Sequence, residues 1–212
     1  MCAALAQIAK HSLDLAEVVV EAEIFPKVLT CLRFPDDLVR KHAATVVREV
    51  AKHSPELAQL IVGHGGVGAL VDYISESTGN ARLPGIMALG YIAAFSETLA
   101  LSVVAEKGLG PLVAALREEP EDYMKSAAAW SLGQIGRHTP DHAKAVADTG
   151  SLPLLVDLES DEASSEDLRT KVRVVLCCYV RGRKTHTHTH THTRRGTPCS
   201  YLLFYLLFYL LF

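Results

Sequence analysis

The tetrapeptide AKHS occupies residues 9–12 and returns at 51–54. It is part of a longer beat. Ser12, Ser54, Ser96 and Thr139 are 42, 42 and 43 residues apart, and two apolar series keep the same interval: Leu5, Val47, Leu89, Leu132 and Ile8, Val50, Ile92, Ile135. Downstream recur Phe25, Val67, Leu109 and Leu152, each followed by Pro or Gly (Pro26, Gly68, Gly110, Pro153). The one extra residue falls between Leu112 and Leu132, in the stretch REEPEDYMK, where a surface loop absorbs it. Self-similarity at a fixed period of this size means stacked supersecondary units, because each unit has an apolar face that only a neighbour covers.

Each period reads as three helices. Ser54-Pro55-Glu56 and Thr139-Pro140-Asp141 are helix starts: the hydroxyl accepts from an orphan N–H, proline fits the first turn, and the acid sits at the positive end of the dipole. The first helix runs through LAQLIVG to Gly63, and the glycines of HGGVG supply permissive backbone for a tight turn. A second begins near Val67 and runs through ALVDYI. In the third, Leu83, Ile86, Met87, Leu89, Gly90, Ile92 and Ala93 recur at helical spacing. Small residues such as Ala43, Ala44, Ala88, Ala93, Ala127 and Ala128 let neighbouring third helices approach closely. The pattern predicts an all-α chain: an α-solenoid of the HEAT or armadillo kind. The short first helix, the glycine-rich turn and the alanine-rich third helix favour the right-handed, three-helix armadillo form.

The expected division is a solenoid over 1–172 and a low-complexity, disordered tail over 173–212. The solenoid divides into a partial repeat 1–11, full repeats 12–53, 54–95 and 96–138, and an incomplete repeat 139–172. Ala3, Ala4, Leu5 and Ile8 would expect a repeat before them, so the chain reads as a piece of a longer array. The body holds 15 Lys/Arg against 24 Asp/Glu and the tail six Lys/Arg with no acid, so a body of −9 joins a tail of +6. Five cysteines without paired spacing indicate no disulfide framework. The N-terminal residues lack a signal-peptide pattern, so a cytoplasmic location is expected.

The tail carries THTHTHTHT and YLLFYLLFYLLF. His186, His188, His190 and His192 share one face of an extended strand, but nothing fixes a coordination geometry, and no metal site is expected. The final 12 residues would span about 18 Å as a helix against a hydrocarbon core of about 30 Å, so no transmembrane segment is expected.

Little in the body points to catalysis. The stretch GHGGVG lacks a preceding strand and a Lys-Ser/Thr end, and its glycines sit at repeat positions, so it reads as a turn rather than a phosphate loop. His11, His53 and His138 recur just before the capping Ser/Thr, where a histidine meets the last carbonyls of its helix. The run ESDEASSED at 159–167 reads as a solvated loop. No cofactor, no nucleic-acid partner and no enzymatic activity are expected.

The segment AAAWSLGQIGRHTPDHAKAVADTGSLPLLVDL resembles the armadillo consensus, and AQIAKHSLDLAEVVVEAEIFPKVLTCL together with MALGYIAAFSETLALSVVAEKGLGPLVAAL is similar to armadillo proteins of the ciliary central apparatus. The resemblance covers roughly residues 1–172 and implies a truncated or alternatively ended form. It also implies a non-enzymatic scaffold of the axoneme in cilia and sperm flagella, with other central-apparatus proteins as partners. An acidic body is repelled by the acidic surface of tubulin, so attachment to microtubules through those partners is expected. A cytoplasmic peptide-binding adaptor for signalling or transport is the alternative.

A second armadillo family, which binds nuclear localisation signals, carries Trp and, four residues later, Asn on its third helices. Here the Trp positions hold Ala3, Thr45, Met87 and Trp130, and the Asn positions Gln7, Glu49, Tyr91 and Gln134. Only Trp130 with Gln134 approximates a rung, so that cargo class is disfavoured. The same register predicts a concave groove with Gln7, Arg48, Glu49, Tyr91, Trp130 and Gln134 as partner contacts. Charge reversal at Glu49 with Tyr91→Ala is expected to weaken partner capture without unfolding the chain.

Overall fold

The computed structural model describes residues 1–22 and 24–187, with side chains through residue 180, and the described residues contain no strand. The first helix, α1 (Cys2–His11), stands in the third-helix register. Three trios follow: α2 (Leu13–Glu21), α3 (Phe25–Cys31) and α4 (Asp37–Ala51); α5 (Pro55–Gly63), α6 (Gly66–Glu76) and α7 (Leu83–Phe95); α8 (Glu97–Ala105), α9 (Leu109–Glu118) and α10 (Asp122–Gly136). A fourth comprises α11 (Pro140–Val146), α12 (Leu152–Ser160) and α13 (Glu166–Thr187). Third helices pack in a row, α1 on α4, α4 on α7, α7 on α10 and α10 on α13, while the first and second helices cover one side of that row. Their axes turn sharply: α5 and α6 meet at 79°, α8 and α9 at 77°. Among the described residues no single helix is long and apolar enough to cross a membrane.

The Ser/Thr beat is a capping beat. Ser12, Ser54, Ser96 and Thr139 each accept from the N–H three residues on, at 3.2 Å. Each satisfies an orphan donor of the first helix and starts the unit at a fixed point. The turn between first and second helices needs a left-handed residue, with φ 71° at Gly65, 61° at Lys107 and 72° at Gly150. In two repeats that position lies one residue before glycines 42 residues apart, Gly66 and Gly108, and in one of them a lysine occupies it.

Two inter-repeat devices weld the stack. The ring nitrogens of His53 and His138 meet the carbonyls of Ala9 and Ala93 at 2.6 and 2.7 Å. These carbonyls belong to the preceding repeat's third helix, so the histidines close their neighbour's helix rather than their own. Phe95 fills the same register between them. Beside them, Lys52 donates to Lys10 O at 3.2 Å and Arg137 to Ala94 O at 2.9 Å. The second device pairs the first turn of a third helix with the end of the following repeat's second helix: Arg40 with Glu76 at 2.8 Å and Arg82 with Glu118 at 3.1 Å.

The helix α13 runs through the expected boundary at residue 172. Val175 and Leu176 are buried, and Val175 packs over Gly133 on α10, because the 3.6-residue apolar pattern continues past LRTKV. The rest of the tail, with His188, His190, His192 and the terminal aromatic run, lies outside the described residues.

Candidate functional site

The third helices present one continuous wall, and the residues singled out by register fall on it with different exposures. Gln7 on α1 is exposed; Tyr91 on α7 and Trp130 and Gln134 on α10 are half-buried. The Tyr91 and Trp130 rings meet edge to face, centroids 5.1 Å apart at 68°, the geometry favoured by the ring quadrupoles. Gly90 makes this possible. A Cβ there would stand 2.2 Å from Cζ3 of Trp130, so the six-membered ring of the indole packs against bare backbone. Behind it, the buried Ser131 hydroxyl donates to Ile86 O at 2.9 Å and ties α10 to α7. Trp130 therefore packs onto the neighbouring third helix and remains half-buried.

Glu49 differs from expectation. Its side chain is only 5% exposed, and its carboxylate is taken by Arg48 and Lys52, with Arg48 Nε donating at 3.0 Å. Burial alone would raise this carboxyl; the hydrogen bonds from Lys52 and Arg48 outweigh it and hold the group below its ordinary range. Glu49 is therefore buried beneath two partly exposed bases that it holds in place, and charge reversal there strands a buried charge.

Charge is divided between the wall and the outer helices. Through residue 173, the third helices with their caps and α1 hold eleven Lys/Arg and seven Asp/Glu; the remaining segments hold five and seventeen. Beyond the first turns, the single acid on the third helices among the described side chains is Glu49. The net charge of −3 conceals this division entirely.

Nothing on the wall resembles a reactive centre. Among the described residues no three His, Cys, Asp or Glu side chains are placed to hold a metal. An open pocket between α3 and the α5–α6 turn is lined by Pro26, Leu29, Arg33 and His64, and Arg33 is already paired with Asp72 at 2.8 Å.

A stack of three-helix units with a side-by-side third-helix wall is the armadillo fold, and solved structures agree. The chain superposes on a designed armadillo repeat protein with TM-score 0.79 at 20% identity, covering 84% of this chain and 73% of that one. It superposes equally well, at 18% identity over 89% and 85% of the two chains, on a designed armadillo repeat protein in complex with the peptide (KR)4. Among curated proteins, the chain is 64% identical over 56 residues to human Sperm-associated antigen 6 and 62% identical over 56 residues to the mouse protein of the same name. Each match spans 26% of this chain and 11% of the relative's length. No family model matches the chain.

Proposed function

We propose that the chain is a non-enzymatic protein-interaction scaffold of the axonemal central apparatus, supporting the integrity and motility of cilia and sperm flagella. The observation that carries the proposal is the unbroken third-helix wall, which offers a long docking surface without converging reactive groups. The likeness to Sperm-associated antigen 6 supplies the setting, a sperm-associated one. Gln7, Arg48, Tyr91, Trp130 and Gln134 are the proposed partner contacts, with Glu49 holding Arg48 in place. Central-apparatus proteins dock there and carry the chain to the microtubules, since a body of −9 is itself repelled by an acidic lattice. Residues 1–172 with the continuation of α13 past that point form the scaffold, and the rest of 173–212 is an appended tail.

The alternative is a cytoplasmic peptide-binding adaptor using the same wall. The designed armadillo protein solved with a bound peptide favours it. A tagged chain expressed in ciliated cells separates the two. The scaffold remains with the axoneme after detergent extraction, and Tyr91→Ala with Gln134→Ala releases it; a fully detergent-soluble chain refutes the axonemal reading.

A further inference from the structure

Resting on the reading of the wall as a docking surface, we infer that its occupant is an extended acidic segment with an apolar side chain seated beside Tyr91 and Trp130. Three observations converge. First, the wall's accessible charge is positive: Arg48, Lys52 and Arg137 are at least partly exposed, while the single acid among them, Glu49, is buried and ion-paired. Second, these bases are held in place before any partner arrives. Lys52 is fixed by Glu49 and by Lys10 O, and Arg137 by Ala94 O, so little side-chain entropy is lost on contact. Third, the surface between them carries apolar side chains: Met87, Tyr91 and Trp130 are half-buried.

The spacing suits one extended chain. Lys52 caps α4 and Arg137 caps α10 at the same register, with α7 between them. Adjacent helices pack about 9–10 Å apart, so the two bases flank a gap of about 20 Å, which about six extended residues cross. Acidic side chains at both ends of such a segment meet Lys52 and Arg137, and a central apolar one meets the Tyr91–Trp130 pair. A basic peptide meets like charge along the same path.

The test uses the full chain and two fluorescent peptides, one with glutamate pairs on either side of a central phenylalanine, the other (KR)4. Anisotropy at low salt is expected to give at least about tenfold tighter binding of the acidic peptide, a difference of about 1.4 kcal/mol, weakening as salt screens the contact. Arg137→Glu, at an exposed position and with its fold checked by far-UV circular dichroism and a urea midpoint, lowers that affinity at least about tenfold, and replacing the peptide phenylalanine by alanine lowers it similarly. Equal or tighter binding of (KR)4, an unaffected Arg137→Glu, or no binding of the acidic peptide at millimolar concentration overturns the inference. If the acidic peptide fails while Tyr91→Ala with Gln134→Ala still releases the chain from axonemes, the wall is a docking surface for another chemistry. If both fail, the scaffold reading falls with it.

Discussion

Arg82 is where the stack is most exposed to a single substitution. Its side chain is 8% exposed and its Glu119 partner 4%, with NH1 donating to Glu119 at 3.2 Å and to Glu118 at 3.1 Å. Nε donates to Ile74 O at 3.1 Å and to Ser77 O. The Glu119 carboxylate also accepts from Gly79 N–H at 3.0 Å, so one guanidinium joins the end of α6, the 3-10 turn Gly79–Ala81 and the end of α9. Arg82→Ala removes that centre and leaves a buried carboxylate and two carbonyls without it. Breaking a buried pair from one side costs about 3–5 kcal/mol, a large share of the roughly 5–15 kcal/mol of a typical domain.

In urea titrations followed by far-UV circular dichroism, a slope of about 2 kcal/mol per M converts this into a midpoint lowered by about 2 M. The control is built into the repeat. Arg40 holds the same register, but its acids Asp37 and Glu76 are 81% and 65% exposed, so Arg40→Ala costs about 1 kcal/mol or less. Arg82→Met with Glu119→Leu replaces the pair by apolar groups and recovers most of the loss. Equal midpoints for Arg82→Ala and Arg40→Ala would refute the view that a buried ion pair, rather than apolar packing alone, welds these repeats.

Other outcomes follow from register. Ile92→Ala, at a fully buried site, costs about 2–5 kcal/mol, whereas Ile8→Ala, in the same register but 41% exposed, costs about 1 kcal/mol or less; equal thermal shifts would contradict the assigned stacking. Lys107→Gly relieves a left-handed backbone at φ 61° and raises stability by about 1 kcal/mol, read as a higher urea midpoint. Because the Glu49 carboxyl is held below its ordinary range in the folded chain, its contribution is present above that range and is lost as pH falls through the folded value. Glu49→Gln is therefore less stable at neutral pH and loses less on acidification; parallel stability curves for the two proteins would show that Glu49 makes no such contribution.

The repeat itself and its caps were legible in the sequence because Ser, Thr and the apolar series must recur wherever each unit starts and stacks. Trp130 was ambiguous from sequence alone: only the absent side chain of Gly90, one repeat earlier, shows where the indole lies. Arg40 and Arg82 stand 42 residues apart, as do Glu76 and Glu118; the signal was present, but charged residues rarely serve as repeat markers and the pairs went unread. Glu49 was misread for a physical reason. Register places a residue on a helix face but does not give its depth, and Arg48 and Lys52, one and three residues away, cover the carboxylate. The left-handed turn was hidden by Lys107, since a search for glycines passes over the repeat that lacks one.

The welds between repeats and the charge of the wall have a common origin. Two inter-repeat pairs, Arg40–Glu76 and Arg82–Glu118, place the base at the start of a third helix and the acid at the end of the next unit's second helix. At these two junctions the device sets an acid on an outer helix and a base on the third-helix layer. The carbonyl contacts of Lys52 and Arg137 do the same at the other end of the third helices, where a cation complements the negative end of the dipole. A positive wall on an acidic body is thus a by-product of how the units hold together, present before any partner is selected. Evolution of a binding specificity then needs to change only the half-buried residues between those bases, such as Met87, Tyr91 and Trp130, where substitution alters what docks while leaving the Arg–Glu and carbonyl contacts of the stack in place.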